Sequence, residues 1–228
     1  LTLTTLPESV TFLALKRPPN ALQKINTILA KLGHSPLSAL PDAIKSADYK
    51  GGFKQLFGPG LARITVLLCL AHLAHIFTVY FVVKWIPKIV ADMGFEASEA
   101  GRILVWVNLG GLVSAFIYGL LTRHLDLRKL AIAALMGAFI LVCAFGQIGQ
   151  NLGALTTIAV ICGFFLSAGT VAMYPLMAHY FPPNVRAGGI GVVLGFGRAG
   201  AIGGPIAAGF LLDAGLAFSQ VTVMLASG

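Results

Sequence analysis

Long runs of apolar residues dominate this chain, and short polar loops separate them. The runs cover residues 61–87, 101–121, 129–148, 154–177 and 187–212, and a shorter run covers 216–226. Each of the first five runs reaches the roughly 20 residues that a helix needs to cross a bilayer. Since backbone polar groups in a bilayer must bond within their own segment, the runs predict helices. The pattern therefore predicts an all-α integral membrane protein with five complete spans.

Composition and charge agree with this class. Hydrophobic residues make up 57% of the chain and charged residues only 11%, against about 25% charged in soluble domains. The net charge of +8 would suit a nucleic-acid partner if it were spread over one surface. It is instead concentrated in segment 13–60, in loop 123–129 and at Arg186, while the alternate loops 92–100 and 147–153 carry acidic or no charge. By the positive-inside rule the basic segments are cytoplasmic, and we expect a lipid bilayer as the environment and no nucleic acid.

Both ends of the chain resemble parts of spans. The opening, Leu1-Thr-Leu-Thr-Thr-Leu6, is typical of the end of an earlier span, and the last run has about half the length of a complete one. We therefore expect a fragment of a longer protein, cut at both ends.

The basic segment contains one helical pattern. Asn20 and Gln23 have the spacing of a capping box, and Gly33 can end a helix. Between them, apolar residues recur at helical spacing: Leu22, Ile25, Ile28, Leu29 and Leu32. This pattern predicts a short amphipathic helix at the inner membrane surface.

Arg198 is the residue that most needs an explanation. It lies near the middle of the glycine-rich apolar run 187–209, where a charge costs from about 2.5 to more than 10 kcal/mol. It should face water, a counter-ion or an anionic ligand; the alternative is a structural role, snorkelling or paired with a carboxylate. Two glycine pairs with four-residue spacing flank it, and this spacing lets another helix approach closely. These pairs are Gly191 with Gly195 and Gly200 with Gly204.

Two histidines lie one helical turn apart inside the first complete span. His72 and His75 share a helix face, where each could bond a ligand carboxyl group, carry a proton, or satisfy a hydrogen bond between helices. A histidine pair also suggests a metal, but no third ligand has a suitable spacing. The three cysteines lie in apolar runs without Cys-x-x-Cys pairing, so we predict neither a metal site nor a disulfide.

Other polar and aromatic residues inside the spans are candidates for ligand contact. Tyr80 and Asn108 can bond a ring hydroxyl or carboxylate if they face a cavity, and Phe196 can stack on an aromatic ring. Lys84 and Trp85 lie near the outer end of their helix, where an anchoring role at the interface is expected.

Several motifs resemble those of a known family. Leu6-Pro-Glu-Ser-Val-Thr-Phe-Leu13, followed by a basic loop, resembles the end of the sixth helix and the central loop of major facilitator superfamily transporters. The Trp-x-Pro ending of Tyr80–Pro87, the pair Tyr174-Pro175, and the run 186–205 with arginines twelve residues apart resemble the aromatic acid:proton symporter branch.

The resemblance covers essentially the whole chain and implies its architecture. The chain would be the carboxy-terminal six-helix half of a twelve-helix fold, with its last helix truncated. Residues 1–12 would end the sixth helix, 13–60 would be the cytoplasmic central loop, and 61–228 would form the transmembrane bundle.

The resemblance also implies a function. It predicts uptake of aromatic carboxylates such as benzoate or hydroxybenzoate together with a proton, by alternating access, in the bacterial inner membrane. The amino-terminal half would be the partner, no cofactor is implied, and the proton-coupling acids would belong to that half. The first alternative is a porter for sugars or other small metabolites. The second is a membrane sensor derived from a transporter. An enzyme is not indicated, because no nucleophile and base pair appears in the spans.

The loop from Gly119 to Lys129 resembles the family's repeated loop signature. In that match Asp126 is the acid and Arg123 and Arg128 are basic partners that clamp helix ends. Arg186 would then act in gating rather than in ligand contact. The alternative is a solvated positive-inside loop with an incidental aspartate.

Overall fold

The computed structural model describes residues 8–40, 52–149 and 151–226 of the 228-residue chain. The chain divides into two compact units, residues 1–51 and 52–228. The predicted span end at Leu1–Leu6 lies outside the described residues.

The described part of the first unit, residues 8–40, contains the helices α1 (Val10–Lys16) and α2 (Ala21–Lys31). The predicted end of a sixth helix at residue 12 falls inside α1. Helix α2 is the amphipathic helix that the pattern predicts, and Gly33 follows its end with a φ of 74°, as a glycine terminator does. The predicted capping box is wrong: Asn20 has a φ of 63° and its side chain bonds no backbone N–H of the first turn.

The second unit begins with a short 3-10 helix and continues with six α-helices. The 3-10 helix is Phe53–Phe57, and the α-helices are α3 (Ala62–Asp92), α4 (Ala97–Leu121), α5 (Leu127–Phe145), α6 (Leu152–Tyr180), α7 (Arg186–Asp213) and α8 (Phe218–Ala226). Within the described residues, α3 to α7 are the five helices long and apolar enough to cross a membrane, and no strand is present there. The predicted all-α class and its five spans are confirmed.

Glycines bring α3 into backbone contact with α7. A Cβ added at Gly200 or Gly204 would overlap the carbonyl oxygens of Leu73 and Phe77, respectively. Contact of this kind needs residues without a side chain, as the predicted spacing requires. The other predicted pair, Gly191 and Gly195, has no described atom within 4 Å of an added Cβ, so it brings no described helix close. Helices α4 and α6 meet through glycines in the same way.

Side-chain hydrogen bonds join α3 to α7 and to α8. The hydroxyl of Thr78 in α3 donates to the carbonyl of Leu225 in α8 at 2.6 Å. The indole Nε1 of Trp85 in α3 donates to the carbonyl of Pro205 in α7 at 3.1 Å. The predicted anchoring role of Trp85 is therefore incomplete, because its polar atom joins two helices of the bundle.

Candidate functional site

A cavity of about 260 Å³ lies between α3, α6 and α7. It combines polar and aromatic side chains with aliphatic ones. Its lining consists of His72, Ile76, Val79, Tyr80, Thr170, Tyr174, Leu194, Gly197 and Arg198. Concave sites in which polar groups converge beside apolar surface are typical of small-molecule binding sites.

The cavity lies deep within the helices. Arg198 is twelve residues beyond the start of α7, and Thr170 is ten residues before the end of α6. At 1.5 Å per residue these positions are about 18 and 15 Å from their helix ends. Since the hydrocarbon core of a bilayer is about 30 Å thick, the lining lies near mid-depth.

Arg198 supplies the permanent charge of this cavity. Its side chain is exposed, and it has no hydrogen bond or ion pair with any described residue. The ion pairs in the described part of the chain are Lys88 with Asp92 and Arg102 with Glu99. The structural alternative of a carboxylate partner for Arg198 thus finds no candidate among these residues, and the guanidinium presents its donors to the cavity.

A glycine makes room for each of the two histidines. A Cβ at Gly197 in α7 would overlap the ring of His72, and one at Gly169 in α6 would lie 2.6 Å from Cε1 of His75. The two rings thus turn toward different helices, although both residues start from one face of α3. Only His72 lines the cavity.

His75 has partners of its own. Its Nε2 lies 3.1 Å from the carbonyl oxygen of Leu166 and 3.1 Å from the hydroxyl oxygen of Thr170. Because a carbonyl oxygen only accepts, Nε2 carries the hydrogen and donates it. His75 is 2% exposed and joins α3 to α6.

The remaining predicted ligand residues divide between the cavity and the surface. Tyr80 lines the cavity. Asn108 is exposed on α4 and donates from Nδ2 to the carbonyl of Leu104 at 2.7 Å, and Phe196 is half exposed outside the lining. The structure therefore brings Arg198, His72 and Tyr80 together.

Sequence reasoning missed two polar lining residues of α6. Thr170 and Tyr174 lie four residues apart within this long, mostly apolar helix. This spacing places them on one helix face. Two polar side chains on one face of a membrane helix are the signal that would have found them.

The predicted gating residues lie outside the cavity, at the junction of α4 with α5 and at the start of α7. Asp126 caps α5: its Oδ1 accepts from the backbone N–H of Arg128 at 2.8 Å and of Lys129 at 3.2 Å. The bond from Lys129, followed by that from Arg128, lowers the pKa of the Asp126 carboxyl below its usual value. Asp126 is therefore an anion at neutral pH, and its charge serves the helix N-terminus.

The arginines of these loops have separate contacts. The Nε of Arg128 donates to the hydroxyl of Tyr180 at the end of α6, and its guanidinium lies 5.4 Å from the centre of that ring. The Nε of Arg186 donates to the carbonyl of Phe181 at 3.1 Å and braces the turn between α6 and α7. Arg123 has no ion pair with a described carboxylate, so Asp126 is not clamped to an arginine here.

No metal-binding group is indicated by the described residues. That part of the chain has no cluster of three or more His, Cys, Asp or Glu side chains that could hold an ion.

Comparison with known proteins gives one family and several relatives. Residues 68–226 match the model of the Major Facilitator Superfamily. A gallate transporter of Pseudomonas putida is 29% identical over 96% of this chain and 49% of its own length. A 3-(3-hydroxy-phenyl)propionate transporter of Escherichia coli K12 is 28% identical over 76% of this chain and 42% of its own.

A 4-hydroxybenzoate transporter of Pseudomonas putida is 28% identical over 96% of this chain and 50% of its own length. The chain thus spans about half the length of the relatives it matches.

Proposed function

Because the chain belongs to the Major Facilitator Superfamily, we propose that it forms the carboxy-terminal half of a transporter that carries small aromatic carboxylates and protons by alternating access. The chain is part of a multi-pass protein of the bacterial inner membrane, and its family consists of transporters, not enzymes. That several relatives are named as transporters of aromatic acids supports the substrate class.

The observation that carries the proposal is the unpaired Arg198 in a cavity near mid-depth. A guanidinium binds a carboxylate through two parallel, charge-assisted hydrogen bonds. Its charge also favours an anion over a neutral sugar, since a sugar would leave the cation without compensation. This separates an organic anion from the sugar alternative.

The rest of the lining suits an aromatic ring. Ile76, Val79 and Leu194 supply aliphatic surface, while Tyr80 and Tyr174 supply rings that can stack on a substrate. Their hydroxyls can bond polar substituents of such a ring.

The size and openness of the cavity support a second wall from another half. Its volume of about 260 Å³ is slightly below the roughly 300–1,000 Å³ of complete small-molecule sites. Tyr174 in its lining remains 46% exposed. In transporters built from two repeats, substrate sites lie at the repeat interface near the bilayer midplane. We therefore assign the missing wall, on the open side of the cavity, to the amino-terminal half of the transporter.

The loop residues are assigned to gating. Asp126 presents an exposed carboxylate, and Arg123 an exposed guanidinium, at the end of the bundle where Arg128 and Arg186 brace α6. Charges at this position can pair with the other half in one conformation and separate in the other, which biases the conformational equilibrium.

Uptake of radiolabelled 4-hydroxybenzoate tests the proposal. Cells expressing the complete transporter that contains this chain should accumulate the label, benzoate should compete, glucose should not, and a protonophore should abolish accumulation. Failure of all aromatic acids would refute the substrate class, while uptake that resists the protonophore would refute proton coupling alone.

Arg198→Lys then tests the carboxylate contact. Lysine keeps the charge but loses the paired donors. A hydrogen bond to a charged group contributes about 1.5–3 kcal/mol, so the Kd for 4-hydroxybenzoate should rise roughly 10- to 150-fold. The amount of protein in the membrane should not change. Arg102→Lys, a control at a side chain paired with Glu99 outside the cavity, should leave the Kd unchanged; equal effects would disprove the assignment.

A further inference from the structure

His72 is a buried histidine with an unpaired nitrogen. Its side chain is 3% exposed, and its Nδ1 has no hydrogen-bond partner among the described residues. Buried polar atoms are almost always paired, so an exception calls for an explanation. Nδ1 itself has almost no accessible surface, but the ring as a whole lines the cavity, so the imidazole is placed to exchange a proton with it.

His75, one turn further along α3, shows the contrasting arrangement. Its Nε2 is already bonded to Leu166 and Thr170, and it does not line the cavity. Two histidines of one helix face therefore differ in role: His75 joins helices, and His72 is the one that faces the substrate space.

The charges around His72 are all positive or neutral. On its own helix it faces His75 and Tyr80, on α6 it faces Tyr174, and on α7 it faces Arg198. No carboxylate lines the described cavity. A protonated His72 in the empty cavity would repel Arg198 at close range in a medium of low dielectric constant.

A bound carboxylate changes this balance. One anion beside Arg198 offsets the guanidinium charge and also attracts the positive charge of a protonated His72 ring. Binding of the anion thus favours binding of a proton at His72, and by linkage the proton favours the anion to the same extent.

We propose that His72 binds the transported proton when an aromatic carboxylate binds beside Arg198. This assignment rests on the proposed function, and it places a proton site in this half of the transporter. On the outer side the His72 imidazole takes up a proton from the water-accessible cavity while the carboxylate stays ionised. On the inner side both leave, so each cycle moves one proton and one anion with no net charge.

Calorimetry on the purified complete transporter tests this. Benzoate is the probe, because it has no group that titrates between pH 7 and 8. Titrations in buffers of different ionisation enthalpy report the protons taken up for each benzoate bound. The unsubstituted protein should take up close to one proton, and its Kd should rise about tenfold per pH unit where uptake is complete.

Two substitutions separate His72 from its neighbour. His72→Gln keeps a polar side chain that cannot titrate in this range, so proton uptake and the pH dependence of the Kd should both disappear. His75→Gln is the matched control and should behave as the unsubstituted protein in both measurements. Proton uptake that persists unchanged in His72→Gln would overturn the proposal.

A measurement on the unsubstituted protein covers the case in which His72→Gln fails to fold. With ¹⁵N-labelled histidines, benzoate binding at pH 7.5 should shift the imidazole nitrogens of one buried histidine toward imidazolium values; no shift would refute the proton site. Absence of benzoate binding by the unsubstituted protein would instead refute the proposed function, and the proton site with it.

Discussion

Gly197→Ala would test whether α7 holds the His72 ring in place. A Cβ at this position would overlap Cδ2 of the ring and lie 2.9 Å from its Nε2, whereas ordinary contacts of a Cβ begin near 3.4 Å. The ring must therefore move by at least 0.5 Å, the difference between these distances. His72 is buried and lines the cavity, so the ring must press on its neighbours or shift into the cavity, and either changes its place in the site.

The energetic effect can be estimated against a matched control. Overfilling a packed site costs about 1–3 kcal/mol, while alanine in a helix gains about 0.8–1.0 kcal/mol over glycine. Gly209→Ala in the same helix gains the same propensity, but its Cβ would meet Trp85 at an ordinary 3.6 Å. The free energy of unfolding should therefore be lower in Gly197→Ala than in Gly209→Ala by about 1–3 kcal/mol.

The assay has two readouts on the complete transporter. Denaturant unfolding in mixed micelles gives the stability difference, and calorimetry with benzoate gives the Kd. Displacing a hydrogen-bonding group from a charged ligand should raise the Kd roughly 10- to 150-fold, while Gly209→Ala should leave it unchanged. If both variants are equally stable and bind benzoate equally well, Gly197 in α7 does not hold the His72 ring in place.

The other predictions concern the ends of the bundle. Asp126→Asn keeps a good helix cap, so melting temperature should be preserved while the turnover of uptake falls; unchanged turnover would remove Asp126 from the gate. Asp126→Ala loses the cap and should lower the melting temperature at pH 7. Since the pKa of Asp126 is lowered, this difference should persist to about pH 4 and vanish as the pH falls through that lowered value. Trp85→Phe loses the bond to Pro205 and should lower the free energy of unfolding by about 0.5–1.5 kcal/mol. An unchanged free energy of unfolding would mean that Trp85 only anchors the helix at the interface.

The helices were predictable from the sequence because length and apolarity decide them. A backbone in lipid must satisfy its own hydrogen bonds, so each apolar run became a helix close to its predicted bounds. The main error in length is α3, which continues past Pro87 to Asp92. Lys88 ends the predicted apolar run, but the helix continues through Ile89, Val90 and Ala91 to Asp92.

The candidate site was predictable only in part. Arg198 stands out in the sequence because a charge in an apolar run is costly wherever it faces. Asn108 looks equally unusual in the sequence, yet it bonds its own helix at Leu104 outside the cavity. Which polar residue faces the cavity depends on the rotation of each helix against its neighbours, and periodicity in a uniformly apolar helix does not determine that rotation.

The sequence by itself determined the class of the protein, its spans, and the presence of one permanent cation at depth. These follow from local properties: length, hydropathy and charge. The tertiary structure decided which glycines meet another helix and which histidine faces the cavity. Gly200 and Gly204 touch α3 whereas Gly191 and Gly195 touch no described residue, and His75 is bonded whereas His72 is not. The two glycine pairs have the same spacing, and the two histidines share one helix face. Only the placement of the neighbouring helices could therefore distinguish one glycine pair, or one histidine, from the other.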